Sequence, residues 1–402
     1  MHTLHPTPIT AADSVVAEEV ALVPVLALVQ AAAEQDAVRR ILILPKKFSQ
    51  QRRKKMLVMN TNLKKLLKER GLPELKSRDE MVDILCREEY GYLPPLPEQL
   101  SFTCEEEVVP KFCAGKAVIN RVTAHCVING KDFSFPFSCV LPTKDGKHPF
   151  FVHINFRPDV PDRYMPTEEL VDNGFAVLSL CYNDVTNDDA DFKDGLAGIL
   201  FPDGKRGPHS PGKIAMWAWA AQRVLDYAET LDCLDLDAAV VCGHSRLGKT
   251  ALFCAATDTR FKFAYSNNSG CSGDALARGT RGETVGDIVF RFHFWFCENY
   301  KKYVKNEQAM PYDQHYLLAS IAPRFVMVGS AAEDLWADPD SQFLACVAAS
   351  PAFSEGLSCD DKLPEIDDVF TDGGIGYHKR AGLHYFSRLD WNRLIEFVKK
   401  HR

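Results

Sequence analysis

Five short apolar runs, at residues 149–156, 175–181, 238–242, 263–265 and 325–328, constrain this chain more than any other feature. Each is predominantly apolar, with only His153, Asn155 and Ser179 interrupting, the pattern of a strand buried on both faces, and helical stretches such as 213–230 lie between them. Strand and helix in alternation argue a mostly parallel sheet with crossover helices. Residues 118–140 differ: they alternate and carry Asn129-Gly130, a two-residue hairpin turn signal. An antiparallel pair therefore opens the sheet and makes it mixed. The expected class is α/β, a three-layer sandwich with helices on both faces, without internal repeats.

With 402 residues, 46% of them hydrophobic, the chain can bury one large core. That core is expected within 59–402. Residues 1–58 read as an N-terminal extension, Ala/Val-rich and then basic from Lys46 to Lys55. A formal charge of −7 gives no global reason to bind nucleic acid, which is held by Lys and Arg against phosphate. The thirteen cysteines are odd in number and form no C-x-x-C pair, so neither a zinc cage nor a complete disulfide framework is expected, and a reduced compartment fits best. The apolar run 20–33 follows Glu18 and Glu19 with no preceding Lys or Arg, opposite to a secretory flank. Its fourteen residues, broken by Pro24, fall short of the roughly 20 that span a bilayer. A cytoplasmic location is expected, with secretion as the alternative. No metal, cofactor or membrane is implied.

The chemistry concentrates where the run 238–242 stops. Gly243-His244-Ser245 follows directly and a helix is expected from about Leu247, the setting of a nucleophile elbow, in which a tight turn wants small residues around an exposed serine. The preceding small residue is Gly243, but Leu247 occupies the following position and Gly248 comes one step late. The competing reading is a serine that caps a helix. A serine nucleophile needs a histidine to take its proton and a carboxylate to fix that histidine's tautomer, in the chain order Ser, acid, His on an α/β-hydrolase scaffold. The run 325–328 leads into Glu333, Asp334 and Asp338, of which Asp334 is the leading acid and the other two its alternatives. Among twelve histidines, His384 has the right address, after the last expected strand and before the amphipathic helix 390–399. His378 falls inside that strand as a packed residue. The backbone N–H of Arg246 is the expected oxyanion donor, supplemented by its guanidinium, and Lys249 one turn on completes an anion-friendly cluster, although a plain surface cation is its alternative reading. The aromatics Phe294, Trp295 and Phe296 read as core or as a substrate platform.

With these residues in place the chain, from about Asn60 to its end, resembles the glucuronoyl esterase family, the 4-O-methyl-glucuronoyl methylesterases of carbohydrate esterase family 15. The elbow pattern Gly-x-Ser-Arg-x-Gly-Lys of that family matches residues 243–249 and accounts for the displaced glycine. Further agreement lies in 267–273 (Asn-Asn-Ser-Gly-Cys-Ser-Gly), in Met310 to His315 with Ala322-Pro323-Arg324, and in Asp334 to Pro339. The resemblance implies an α/β-hydrolase that cleaves esters of glucuronic acid on xylan without a cofactor, with Arg246 at the oxyanion and Lys249 and Trp336 at the sugar. Many members of the family carry a catalytic Glu where Asn268 stands here, which leaves the acid to the Asp334 loop. Acetyl xylan esterase or another short-chain deacetylase is the alternative activity, and a non-catalytic carbohydrate-binding relative the alternative class. The substrate is a small or oligosaccharide ester, and the oligomeric state is open.

Overall fold

The computed structural model describes residues 62–402, so the apolar run 20–33 and the extension read at 1–58 lie outside the described residues. The turn Asn129-Gly130 has φ of 51° and 66°, both positive as a tight hairpin with right-handed strand twist demands. It joins β2 (Ala117–Ile128) to β3 (Lys131–Pro142) in a continuous antiparallel ladder. Ahead of them β1 (Gln99–Glu105) pairs antiparallel with β2 at the sheet edge. β4 (His148–Asn155), β5 (Ala176–Cys181), β6 (Leu234–His244), β7 (Phe263–Asn267), β8 (Phe325–Ala331) and β10 (Ile375–Arg380) form the parallel body, and the two-residue β9 (Val369–Phe370) closes the far edge antiparallel to β10. The order is β1-β2-β3-β5-β4-β6-β7-β8-β10-β9.

The parallel strands β4 to β8 each feed two cores at once, whereas β10 supplies Ile375 and Tyr377 to one of them only. Phe150, Val152 and Ile154 of β4 join one apolar cluster with the helices Lys213–Ala228, Arg246–Thr257 and Pro339–Ala349. Phe151 between them joins the other, with Trp391, Leu394 and Phe397 of the C-terminal helix Arg388–His401. The same division separates Ala239 and Val241 from Val240 and Cys242 in β6. Helices thus cover both faces, the expected three layers.

The chain leaves β5 on one side of β4 and returns as β6 on the other. Such a reversal opens a crevice at the carboxyl ends of the strands, where ligands bind in open α/β sheets. Among the described residues no helix is long and apolar enough to cross a membrane.

Candidate active site

Ser245 stands between β6 and the helix Arg246–Thr257, with φ 59° and ψ −128°. This is a sparsely populated region for a residue with a side chain, costing about 1–3 kcal/mol. What forces it is the closeness of the turn. A Cβ on Gly243 would lie 2.2 Å from the Leu247 carbonyl oxygen, so only glycine lets the helix start this near the strand. A Cβ on Gly248 would lie 2.8 Å from the Ser266 hydroxyl of β7 and 3.2 Å from the Gly243 carbonyl oxygen of β6, so the displaced glycine lets the helix start pack against both strands. The Ser245 hydroxyl makes no capping bond to its helix. The capping reading therefore fails, and the side chain is left for chemistry at a helix N-terminus, where the dipole favours developing negative charge.

Asp334 and His384, fifty positions apart, are joined by continuation of the β8–β10 pairing into their loops. Ala332 N–H donates to the Arg380 carbonyl at 2.8 Å and Glu333 N–H to that of Gly382 at 3.1 Å. The result is a 2.6 Å hydrogen bond between His384 Nδ1 and Asp334 Oδ2. A carboxylate only accepts, so Nδ1 carries the proton and Nε2 is left as the accepting side of the ring. The His384 ring lies 4.4 Å from that of His244, the residue before Ser245, which brings the pair to the elbow. His244 itself is buried and bonds through Nδ1 to the Asn267 side chain at 2.7 Å. Burial, with the adjacent His384, holds it well below the ordinary histidine value, so it packs as a neutral ring. His378 lies within β10 as expected, buried and pushed down to about 4 by desolvation.

The two alternative acids are corrected by their surroundings. Glu333 is exposed. Asp338 is buried, but its carboxylate caps the helix Pro339–Ala349, accepting from Ser341 N–H at 3.1 Å and from the Ser341 hydroxyl, and it also takes the Arg281 N–H at 2.7 Å. It holds two loops together, and among the described residues no hydrogen bond joins it to a histidine. Asn268, just past β7 with φ 50°, is buried, and neither polar atom of its amide has a partner.

Lys249 is not a surface cation. It is buried beneath the elbow, its ammonium donating to the carbonyls of Ser269 and Cys271. Near it lies Glu283, a residue that sequence reasoning missed. Its carboxyl is raised by burial and pulled back by the charge of Lys249, and its N–H donates to the Trp336 carbonyl at 2.9 Å. No motif marks this glutamate, because only the folding of the 280–283 loop against the acid loop brings it to Lys249. Trp336 keeps 46% of its surface exposed, with the Arg291 guanidinium 5.0 Å from its ring. Arg246 is ion-paired with Asp188, and its guanidinium lies 4.9 Å from the ring centre of Trp295. Phe294, Trp295 and Phe296 are buried, and of the three Trp295 lies against the Arg246 guanidinium. Of the two cations in the expected anion-friendly cluster, Arg246 is paired with a carboxylate and Lys249 is bonded to two backbone carbonyls in the field of Glu283.

The remaining motif residues are braces. Asp313 accepts from Ala277 N–H at 2.7 Å and Arg278 N–H at 3.1 Å, while Arg324 donates to the Phe261 and Ala255 carbonyls at 2.7 Å each. No group of three or more His, Cys, Asp or Glu suited to a metal occurs among the described residues.

Comparison with known proteins places the chain in a family. The family model for fungal glucuronyl esterases matches residues 124–355, more than half of the chain. The chain belongs to the glucuronoyl esterase family. A carbohydrate esterase of an unknown prokaryotic organism is 38% identical over 240 residues, covering 58% of this chain and 55% of its own length. A 4-O-methyl-glucuronoyl methylesterase of Schizophyllum commune is 26% identical over 293 residues, covering 70% and 68%. The solved structure of a promiscuous family 15 carbohydrate esterase from a marine bacterial metagenome superposes with a TM-score of 0.73 at 31% identity, over 81% of this chain and 91% of that one. The match to the prokaryotic esterase thus spans little more than half of that protein, whereas the glucuronoyl esterase fold is matched almost throughout.

Proposed function

We propose that this glucuronoyl esterase hydrolyses carboxylic esters of a uronic acid through Ser245, His384 and Asp334. The observation that carries the reading is the 2.6 Å His384–Asp334 hydrogen bond beside an uncapped, strained serine. Ser245 Oγ attacks the ester carbonyl as His384 takes its proton, and the same imidazolium then protonates the departing alcohol. Water, deprotonated by His384, cleaves the acyl-enzyme and releases the acid. Asp334 fixes the tautomer and stabilises the imidazolium. The Arg246 N–H at the helix start and its guanidinium receive the oxyanion. Trp336, half-exposed on the acid loop, offers a ring against which a hydroxylated pyranose can lie, and the resemblance assigns Lys249 to the sugar as well. The relatives named as glucuronoyl methylesterases support glucuronic acid as that sugar.

Purified protein assayed side by side on methyl glucuronate and acetylated xylo-oligosaccharides tests the reading. Turnover of the uronate ester is expected. Turnover of the acetyl esters alone would make it a deacetylase. Absence of both, with no labelling of Ser245 by a fluorophosphonate, would make it a binding relative.

A further inference from the structure

Arg246 is held on every side but one. Its Nη1 pairs with Asp188, whose carboxylate also accepts the Trp295 indole N–H at 2.5 Å and the Tyr182 hydroxyl at 3.1 Å. Trp295 lies 4.9 Å from the guanidinium carbon and is itself stacked on Phe292 with ring centres 4.0 Å apart. Phe156 flanks the guanidinium at 5.5 Å. Asp188 is only 11% exposed in its side chain, so this pair is weakly screened. Against this crowd of partners, Arg246 Nε is buried and has none. A guanidinium anchored through Nη1 and flanked by rings, with Nε unpaired, is an oriented hydrogen-bond donor whose charge is already balanced.

The balance matters for the reaction read above, on which this inference rests. The ester substrate is neutral. In the transition state the oxyanion appears together with a protonated His384, so the site as a whole gains no net charge, only a dipole. The product differs. An ordinary carboxylic acid ionises near pH 4, so at neutral pH the released acid brings a full negative charge next to Arg246. A bare arginine would grip that product through a bidentate, charge-assisted pair.

We infer that Asp188 is a positioning and specificity-determining residue: it aims the Arg246 guanidinium at the reacting carbonyl and cancels its charge, so that the site favours a neutral ester over its own carboxylate product.

Two comparisons test this, both with methyl glucuronate as the substrate of the full-length protein. In the native protein, glucuronate and its neutral analogue glucuronamide are expected to inhibit within about threefold of each other; glucuronate binding tenfold or more tighter, about 1.4 kcal/mol, would overturn the inference. In Asp188→Asn, the inhibition constant of glucuronate is expected to tighten about tenfold while that of glucuronamide moves less than about threefold, and kcat to fall as Arg246 loses its anchor. Asp188→Glu, which keeps the charge, is expected to restore native discrimination. Equal shifts for both inhibitors, or none, would reduce Asp188 to packing. The native comparison decides the matter even where the Asn variant does not fold. A native protein that hydrolyses no uronate ester rejects the proposed function itself, an outcome distinct from either of these.

Discussion

At Ser245 strain and chemistry coincide, because the φ of 59° that costs stability is also what lifts the hydroxyl clear of its own helix. Ser245→Gly is expected to raise stability by about 1 kcal/mol in denaturant melts, since glycine accepts the positive φ, and to abolish ester turnover. A destabilised glycine variant would mean that the hydroxyl is structural. For the acid, Asp334→Asn is expected to lower kcat on the order of 10³–10⁴-fold by misorienting His384, and Asn268→Glu in that background to recover part of the loss. Full activity in Asp334→Asn would point to another carboxylate. The residues of this site differ in how legible they were. Ser245, Asp334 and His384 announce themselves by order along the chain and by their position after strands. Asp188 and Glu283 belong to no motif and acquire their meaning only from Arg246 and Lys249, to which the fold brings them across 58 and 34 positions.

At the scale of elements, the histidine loop depends on one side chain. Arg380, at the end of β10, donates to the carbonyls of Ala381, Leu383 and Tyr385, and clasps both oxygens of Asp390 at 2.9 Å. Asp390 in turn caps the C-terminal helix through Ser387. The loop that carries His384 is thus strung between strand and helix by a buried ion pair. Arg380→Met is expected to cost about 3–5 kcal/mol in urea unfolding, since it leaves a fully buried carboxylate unpaired, and to lower kcat through loss of His384 placement. A change below about 1 kcal/mol would show that Asp390 is satisfied by its cap alone. The β2–β3 hairpin and the buried parallel strands were readable because turn chemistry and two-sided burial leave marks in sequence. β1 and β9 were not: β1 is a largely exposed edge strand whose apolar face is only the half-buried Leu100 and Phe102, too short a signal to mark it, and β9 is two residues long. Their pairing is decided by the neighbours they meet.

For the whole molecule, composition bounded charge and core size, but it could not show which titratable groups the fold would bury, and those set the response to pH. His153 and His378 are fully buried and pushed down to about 4 by desolvation. Both stay neutral in the folded chain, while in the unfolded chain they gain protons below about pH 6.5, so they withdraw stability as pH falls from 6.5 to 4. Glu89, fully buried with the Gln314 amide 3.0 Å away, is pushed up to about 7 by the same desolvation. Its sign is opposite. Below about 4.5 it is protonated in both states and contributes nothing; between 4.5 and 7 only the unfolded chain releases the proton, so stability falls as pH rises. Removing that ionisable group should therefore help only on the alkaline side. Relative to native protein, Glu89→Gln is expected to gain up to about 3 kcal/mol in unfolding free energy on going from pH 5 to pH 8, as read from urea midpoints at the two values. The comparison cancels the histidine contribution, which both proteins share. A difference that stays constant with pH would mean that Glu89 is ionised in the fold, with Lys249 as its counter-charge.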